Sequence, residues 1–258
     1  MNFPQGELRD FLIAKANQYA QSRFIQDDPI QVPHSFASTK DIEISGLIAA
    51  MLSWGGRKTI ISKSKDLMER MDNSPADFVT NASSVDLNSF DGFVHRTFKD
   101  EDIRGLVLAL QQLYQDYASI GEFFKQNLTP DATNLGGAFT VFKIFLLNHG
   151  LPQRASKHFG DPTKGSACKR LVMYSRWMAR PNTEGIDFGI WGIDPALLSV
   201  PLDVHSGRVA RSLGLLTRKQ NDWKAVIELD SSIRSISPED PSKLDYALFG
   251  LGVYEGWK

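Results

Sequence analysis

Lys169 and Asp203 are the two residues of this sequence whose types and surroundings point most directly to chemistry. Lys169 follows the loop-like stretch Gly165-Ser166-Ala167-Cys168, and we expect it in the first turn of a helix that runs to about Ala179. Asp203 follows Pro201-Leu202 and is expected to cap the start of another helix. A lysine amine beside a carboxylate can act as a nucleophile with an electrostatic partner. The pair therefore predicts covalent catalysis by lysine, provided that the fold brings the two side chains together.

Both residues also have ordinary structural explanations. Most lysines are exposed and unreactive, and an aspartate at a helix start usually does no more than cap it. The Asp203-x-His205 spacing would suit a metal pair, but the other four histidines show no ligand spacing, so no metal site is predicted. Cys168 is expected to be a small buried residue, because no base is indicated beside it.

The composition is that of a globular protein of one large or two small domains. The chain has 258 residues, of which 42% are apolar and 23% charged. Its single cysteine excludes a disulfide framework, a four-cysteine zinc site and an iron–sulfur cluster held by this chain alone, and we expect no cofactor. No signal peptide and no membrane-spanning apolar run are evident, so we expect a cytoplasmic protein without a membrane partner.

Positive charge is concentrated around the two chemical residues. The whole chain carries a net charge of -1, but residues 161–224 hold ten Lys or Arg against six Asp or Glu. Four further basic residues and no acidic ones lie in residues 53–65. Such patches on a near-neutral chain suit a surface that faces DNA. The alternative is the ordinary alternation of basic and acidic faces on a globular protein.

Helical spacing dominates the sequence and predicts an all-α fold that positions these residues. The segments expected to be helical are 7–25, a helix capped near Ser38 or Thr39 and ending at Trp54-Gly55-Gly56, 58–71, 100–117, 120–126, 140–148, 169–179, 203–214, 222–233 and 243–250. Alternating strand patterns are nearly absent. Residues 73–98 are expected to be mixed, with breaks at Ser-Pro and Asp-Gly, and residues 181–200 to be irregular.

The residues around Lys169 and Asp203 resemble the helix–hairpin–helix superfamily of DNA base-excision glycosylases. In that superfamily a catalytic lysine opens a helix, and an aspartate follows in a pattern such as V-D-x-H-x-x-R-V, to which Leu202–Val209 is similar. The archaeal 8-oxoguanine DNA glycosylase branch looks most similar, because 34 residues separate the lysine from the aspartate. The chain also resembles, nearly end to end, an uncharacterised bacterial protein family that we place near this superfamily.

The resemblance implies two helical subdomains with DNA in a cleft between them. Residues 40–180 would form the central subdomain with Lys169, and residues 1–39 plus 181–258 the second subdomain with Asp203. The sequence departs from the superfamily in three respects: the iron–sulfur ligands of the endonuclease III branch are absent, position 55 is glycine where a wedge side chain is expected, and the hairpin differs. The usual hairpin signature Leu-Pro-Gly-Val-Gly is absent, and Phe159-Gly160-Asp161-Pro162-Thr163-Lys164-Gly165 stands in its place.

The resemblance also implies a set of site residues. Lys169 and Asp203 would be catalytic, Met173 and Phe249 would cover the two faces of an extruded base, and Asp245 would accept hydrogen bonds from its edge. Taken singly, residues such as Met173 and Phe249 more often belong to the core, and Trp54 is explained as well by packing as by a wedge role. The residues that would contact DNA are Trp54, Arg57, Lys58, Lys164, Arg170, His205 and Arg208.

The expected function is that of a DNA glycosylase with AP lyase activity. The damaged nucleotide would be flipped from the duplex, and Lys169 would attack its sugar to form a Schiff base, with Asp203 stabilising the cationic sugar and accepting a proton. The partner would be double-stranded DNA with an oxidised purine, chiefly 8-oxoguanine, bound by a monomer in the bacterial cytoplasm, at the nucleoid during repair. The alternatives are a non-catalytic DNA-binding protein on the same scaffold and a monofunctional glycosylase in which Asp203 activates water.

Overall fold

The structure, a computed structural model, describes residues 5–257, and its regular structure is almost entirely helical. This confirms the all-α class. The α-helices of the described residues are α1 (Gln5–Tyr19), α2 (Thr39–Met51), α3 (Arg57–Arg70), α4 (Pro75–Asn81), α5 (Asp100–Asp116), α6 (Ile120–Gln126), α7 (Gly136–Asn148), α8 (Lys169–Ala179), α9 (Val204–Ser212), α10 (Trp223–Ile236) and α11 (Leu244–Val253).

Short elements connect these helices. Strands β1 (Val94–His95) and β2 (Phe98–Lys99) form one antiparallel hairpin. Single 3₁₀ segments lie at Ser22–Asp27, Pro29–Gln31, Pro33–Ser35, Asp86–Phe90, Gln153–His158, Pro162–Lys164, Pro195–Leu197 and Pro241–Lys243.

The chain divides into two compact units. Unit 1 comprises the residues up to Phe24, Pro130–Gly136 and Asp161 onward, and unit 2 comprises Ile25–Thr129 and Gly137–Gly160. These boundaries differ from the expected ones, because the division lies after residue 160 instead of near residue 180. The physical reason lies in helix α8, whose buried arginines are paired with carboxylates further along unit 1. Lys169 and Asp203 consequently belong to the same unit.

The core of unit 1 is formed by apolar faces of α1, α9, α10 and α11. Helix α11 packs closely against both α1 and α9. A Cβ atom at Gly250 in α11 would lie 2.1 Å from the ring of Tyr19 in α1, so a side chain larger than hydrogen cannot be accommodated there. The close packing fixes α11, which carries Asp245, next to α9, which begins at Asp203.

A buried carboxylate organises the helices of unit 2. Glu43 in α2 is fully buried, and its oxygens accept hydrogen bonds from the backbone N–H of Gly121 at 2.9 Å and of Ile120 at 3.3 Å. The hydroxyl of Tyr114 in α5 donates to the same side chain at 3.1 Å. Because these N–H groups begin α6 and have no partner within that helix, Glu43 satisfies them and ties three helices together.

The first helix is shorter than expected. Helix α1 ends at Tyr19, and the chain continues as a 3₁₀ segment, Ser22–Asp27, with no fully buried residue. Without an apolar face packed on a core, this segment lacks the burial that stabilises most α-helices in proteins. By contrast, the cap expected near Ser38 is confirmed, since its hydroxyl accepts from the N–H of Asp41.

The β-hairpin was not expected from the sequence. Its turn contains Arg96 with a φ of 55°, a left-handed conformation that usually marks Asn or Gly in such turns. Each strand is only two residues long, and the facing pair His95 and Phe98 is buried. Neither the turn nor the strand length therefore gave a recognisable strand pattern.

Within residues 5–257, no helix is both long enough and apolar enough to cross a membrane.

Candidate active site

The start of helix α8 presents Lys169 at the end of a strained connection. Lys169 is the first residue of α8, as expected, and Cys168 before it has a φ of 49° in the left-handed region. The N–H of Cys168 is held by the Ser166 hydroxyl at 3.2 Å. A non-glycine residue in this conformation costs free energy and is frequent at functional sites. The buried Cys168 thus fixes the direction in which Lys169 leaves the turn.

Asp203 caps helix α9, as expected. Its Oδ1 accepts hydrogen bonds from the N–H of His205 at 2.7 Å and of Ser206 at 2.9 Å. In return, the Ser206 hydroxyl accepts from the N–H of Asp203 at 2.9 Å, which completes a capping box. The carboxylate is therefore held in one orientation by Oδ1, and Oδ2 is directed away from the cap.

The structure brings Lys169 and Asp203 together. The Nζ of Lys169 lies 2.9 Å from Oδ2 of Asp203, and the two side chains are 39% and 24% exposed. Burial alone would raise the pKa of Asp203, but the Lys169 ammonium and the two capping N–H groups outweigh it, so the pKa is lower than the ordinary value. The pair is thus an ionised aspartate beside a lysine ammonium, and Lys169 must lose a proton to Asp203 or to solvent before it can act as a nucleophile.

One face of α8, together with Arg180 directly after its last residue, carries a line of functional side chains. Lys169, Met173, Arg176 and Arg180 follow one another at intervals of four, three and four residues, which places them on the same side of a helix. Lys169 and Met173 are partly buried, whereas Arg176 and Arg180 are almost fully buried. The line runs from the accessible amine into the interior of unit 1.

Asp245 joins this line through Arg176. A guanidinium N–H of Arg176 donates to Oδ2 of Asp245, and both side chains are almost fully buried. Burial and the nearby Asp203 carboxylate raise the pKa of Asp245 to about 6, against the opposing effect of Arg176 and Lys169. Asp245 is therefore electrostatically coupled to the Lys169–Asp203 pair, and it changes charge close to neutral pH.

A second carboxylate completes the buried network. Asp187 accepts from the hydroxyl of Tyr246 at 2.8 Å and from Arg180 at 3.0 Å, and its other oxygen lies 3.3 Å from Nε of Arg176. The guanidinium of Arg176 also lies over the ring of Tyr246, 4.6 Å from its centroid. These contacts satisfy the charges and fix Arg176, and with it Asp245.

Sequence reasoning missed Arg176, Arg180 and Asp187. The spacing of the arginines from Lys169 was a usable signal, because it places two arginines in line with a candidate nucleophile. Asp187 gave no such signal, since it lies in the irregular segment before α9. Only the approach of that segment to α8 reveals its role.

The two residues expected to hold a base have different surroundings. Met173 lies on the line between Lys169 and Arg176, which agrees with its expected position near the site. Phe249 belongs to an aromatic cluster, with its ring centroid 5.5 Å from that of Phe24 and 6.0 Å from that of Tyr254. Both side chains are partly buried.

Four of the expected DNA contacts lie in unit 1. Lys164, His205 and Arg208 are exposed, and Arg170 is partly buried. Burial lowers the pKa of Arg170 to about 10. Arg170 follows Lys169 in the first turn of α8, and His205 and Arg208 lie on α9. Positive side chains therefore flank the Lys169–Asp203 pair along both chain segments.

The other three expected DNA contacts lie in unit 2. Trp54 is partly buried, with its ring stacked on His158 at a centroid distance of 4.9 Å and in edge contact with His95 at 5.0 Å. These contacts favour the packing explanation of Trp54. Arg57 and Lys58 begin α3, where Arg57 is partly buried and Lys58 is exposed.

The segment that replaces the hairpin signature forms a closed turn. Asp161 caps the 3₁₀ segment Pro162–Lys164, and Gly165 follows with a φ of 81°. The backbone then pairs with the start of α10, where the N–H of Trp223 donates to the carbonyl of Gly165 at 3.2 Å. This anchoring holds the connection that leads into Lys169.

Sequence comparison places the chain in a family without supplying an activity. A family model described as Protein of unknown function (DUF2400) matches residues 28–254. Neither a curated protein nor a solved structure matches the chain. The matched region contains Lys169, Asp203 and Asp245 together with the arginines that fix them. The chain therefore belongs to the family Protein of unknown function (DUF2400).

Proposed function

We propose that this protein is a DNA glycosylase with associated AP lyase activity that removes an oxidised purine, with 8-oxoguanine as the leading substrate. The observation that carries the proposal is the 2.9 Å contact between Nζ of Lys169 and Oδ2 of Asp203, made by two partly exposed side chains at the starts of two helices. Most surface ion pairs have no such fixed geometry. Here the capping box fixes one partner and the left-handed Cys168 directs the other.

The proposed reaction uses the two residues in distinct roles. Lys169 first loses a proton from its ammonium to Oδ2 of Asp203, and Asp203 passes that proton on to water, so the carboxylate is ionised again when the neutral amine attacks. Nζ then bonds to C1′ of the flipped nucleotide while the bond from C1′ to the base nitrogen breaks, and the base leaves with the electron pair and takes up a proton. The ionised Asp203 stabilises the positive charge that develops on the sugar.

The covalent adduct then leads to strand cleavage. Opening of the bond from C1′ to the ring oxygen gives a protonated Schiff base on Lys169. Loss of a proton from C2′ and departure of the 3′ phosphate nick the strand by β-elimination. This lyase step requires the amine and therefore separates the proposal from a glycosylase that uses water.

The base pocket is proposed to be built around Asp245. A carboxylate accepts hydrogen bonds from N–H groups, which guanine-type bases present on the edge that pairs with cytosine. The Arg176 guanidinium holds Asp245 in place, and Met173 and Phe249 would cover the faces of the base. Asp245 by itself does not distinguish 8-oxoguanine from guanine, since both carry those N–H groups.

The finer fold assignment belongs to the same proposal. We infer subdomains of the helix–hairpin–helix glycosylase type, with the turn at Asp161–Gly165 as a modified hairpin. The all-helical fold, the lysine at the start of α8 and the aspartate cap of α9 support this inference. The surrounding cations Lys164, Arg170 and Arg208 are the proposed contacts to the DNA backbone.

The proposal is tested by comparing three duplexes that differ only at one position: 8-oxoguanine, an abasic site or guanine. Strand cleavage is measured on denaturing gels before and after hot alkali. We expect cleavage without alkali for the 8-oxoguanine and abasic duplexes and none for guanine. Cleavage of the 8-oxoguanine duplex only after alkali would support a monofunctional glycosylase. Binding without cleavage of any of a panel of damaged bases would contradict catalysis and favour the non-catalytic alternative.

A further inference from the structure

In the turn at residues 161–166, before Lys169, the backbone N–H groups donate hydrogen bonds to acceptors within the turn itself. The N–H of Thr163 donates to Oδ1 of Asp161 at 3.0 Å, and those of Lys164 and Ser166 donate to the Asp161 carbonyl at 3.1 Å each. The N–H of Gly165 donates to the Pro162 carbonyl at 2.9 Å. A phosphate could take these donors only by opening the turn. The backbone N–H groups of this turn are therefore not a ready phosphate site, and any further anion site of unit 1 must be sought elsewhere.

A basic recess on the outer side of α9 has the required chemistry. Its volume is about 700 Å³, and it is lined by Val204, Arg208, Arg211, Ser212, Lys219 and Asn221. Three of these six side chains are cationic and none is acidic. Arg208 and Lys219 are exposed, and no ion-pair partner for either is found within residues 5–257. We call this site the α9 recess.

The floor of the α9 recess is fixed by hydrogen bonds. Nε of Arg211 donates to the Arg218 carbonyl at 2.7 Å, and its Nη2 donates to Oδ1 of Asn221 at 2.6 Å. Gly207 makes room for this arrangement, because a Cβ atom there would lie 2.8 Å from Oδ1 of Asn221 and 2.9 Å from Nη1 of Arg211. The guanidinium of Arg211 is therefore preorganised.

The α9 recess is also connected to the candidate catalytic aspartate. Nδ2 of Asn221 donates to the backbone carbonyl of Asp203 at 2.8 Å. Arg208 lies five residues after Asp203, on the helix that Asp203 caps. An anion held in the recess would therefore be placed at a set position relative to the Lys169–Asp203 pair.

We propose that the α9 recess binds a phosphodiester of the DNA strand. Arg208 and Lys219 contact the phosphate oxygens, while Arg211 and Asn221 hold the site in register with Asp203. An open recess with free cations suits a polyanion that passes over it. The identity of the polyanion rests on the proposed function, but the site itself can be tested without any catalysis.

The test measures binding of the full chain to a labelled duplex with an uncleavable abasic analogue, by fluorescence anisotropy over a series of KCl concentrations. Arg208→Gln and Lys219→Gln should each weaken binding about two- to fivefold at low salt. Each should also reduce the slope of log affinity against log salt by about 0.9, one phosphate contact. Asn221→Ala should weaken binding without changing the slope, since it removes no charge.

Lys125→Gln is the matched control. Lys125 is an exposed lysine of α6, and its replacement changes the net charge by the same amount. The control should leave affinity and slope close to those of the wild type. If Arg208→Gln and Lys219→Gln show the same salt slope as Lys125→Gln, the assignment of the α9 recess as a phosphodiester site is overturned. This holds even if the protein cleaves damaged DNA. Reduced slopes in a protein without cleavage would support the recess and contradict the proposed enzyme.

A second arm separates DNA from small phosphate ligands. Inorganic phosphate and chloride are compared as competitors at equal ionic strength, and both should displace the duplex equally. Selective displacement by inorganic phosphate, lost in Lys219→Gln, would show a site for small phosphates and would overturn the phosphodiester assignment. Absence of duplex binding by the wild type at low salt would overturn it as well.

Discussion

Nζ of Lys169 lies 2.9 Å from Oδ2 of Asp203, while Oδ1 of Asp203 accepts hydrogen bonds from two backbone N–H groups of helix α9. The same carboxylate thus has a structural role at one oxygen and, in the proposed reaction, a chemical role at the other. The two roles respond differently to substitution, because an amide retains a capping oxygen and loses the negative charge.

Comparison of Asp203→Asn with Asp203→Ala should therefore distinguish the contribution of Asp203 to stability from its contribution to the reaction. Asp203→Ala removes the cap and should lower the free energy of unfolding by about 1 kcal/mol, whereas Asp203→Asn should lower it by a smaller amount. Both should lose excision of 8-oxoguanine. Urea unfolding and single-turnover excision measure the two effects, and normal excision by Asp203→Asn would remove the charge of Asp203 from the mechanism.

The pH dependence of the excision rate should reflect the protonation of Asp245. Burial raises the pKa of Asp245 to about 6, so below that pH the protonated side chain loses part of its capacity to accept hydrogen bonds from the proposed base. Excision of 8-oxoguanine should fall as the pH drops through about 6. Asp203 should not contribute to this change, since its pKa is lower than the ordinary value.

The matched comparison for this pH profile is cleavage of an abasic duplex, which presents no base to Asp245. The acidic limb near pH 6 should be present for the 8-oxoguanine duplex and absent for the abasic duplex. Asp245→Asn should remove the limb and lower the excision rate. An identical acidic limb for both duplexes would show that Asp245 does not read the base.

The buried arginines of α8 should be important for stability. Arg180 is 1% exposed and is paired with Asp187 at 3.0 Å. Arg180→Ala removes one of the positive charges that balance the buried Asp187 carboxylate, and it should lower the free energy of unfolding by about 3–5 kcal/mol. Arg208→Ala, at an exposed position, should change it by no more than about 0.5 kcal/mol. Equal effects in urea unfolding would contradict the buried network.

Gly250 should be intolerant of even one methyl group. A Cβ atom there would lie 2.1 Å from the Tyr19 ring, so Gly250→Ala should destabilise the protein by about 1–3 kcal/mol through forced displacement of α1. Gly137 in α7 has no atom within 4 Å of a Cβ position, and Gly137→Ala should stabilise by about 0.5–1 kcal/mol. Thermal unfolding of the two variants gives opposite shifts if the packing is as described.

The sequence allowed the helices and the two ends of the candidate site to be predicted, because both are encoded locally. The loop-like stretch before Lys169 led to the prediction of a helix with Lys169 in its first turn and its end near Ala179, and Asp203 was predicted to cap the helix that follows it. Capping and periodicity depend on residues within one or two turns, so they are readable without knowledge of the tertiary structure.

The buried charges were not predicted, because they depend on contacts between distant parts of the chain. Arg176 has one partner at position 187 and another at position 245, in an irregular segment and a different helix. No local pattern specifies which carboxylate will approach an arginine. The same reason explains the unit boundary, since the ion pairs that hold α8 within unit 1 form only once the chain has folded.

The most direct test of the central claim is to locate the covalent bond. The protein is incubated with the 8-oxoguanine duplex and borohydride, which reduces a Schiff base to a stable amine, and the trapped protein is digested and sequenced by mass spectrometry. Lys169→Gln tests the assigned residue, and Lys224→Gln, at an exposed lysine of α10, is the control. We expect the deoxyribose remnant on the peptide that contains Lys169, loss of the adduct in Lys169→Gln and retention in Lys224→Gln. An adduct on another residue, or one that persists in Lys169→Gln, would contradict the assignment of Lys169 as the nucleophile.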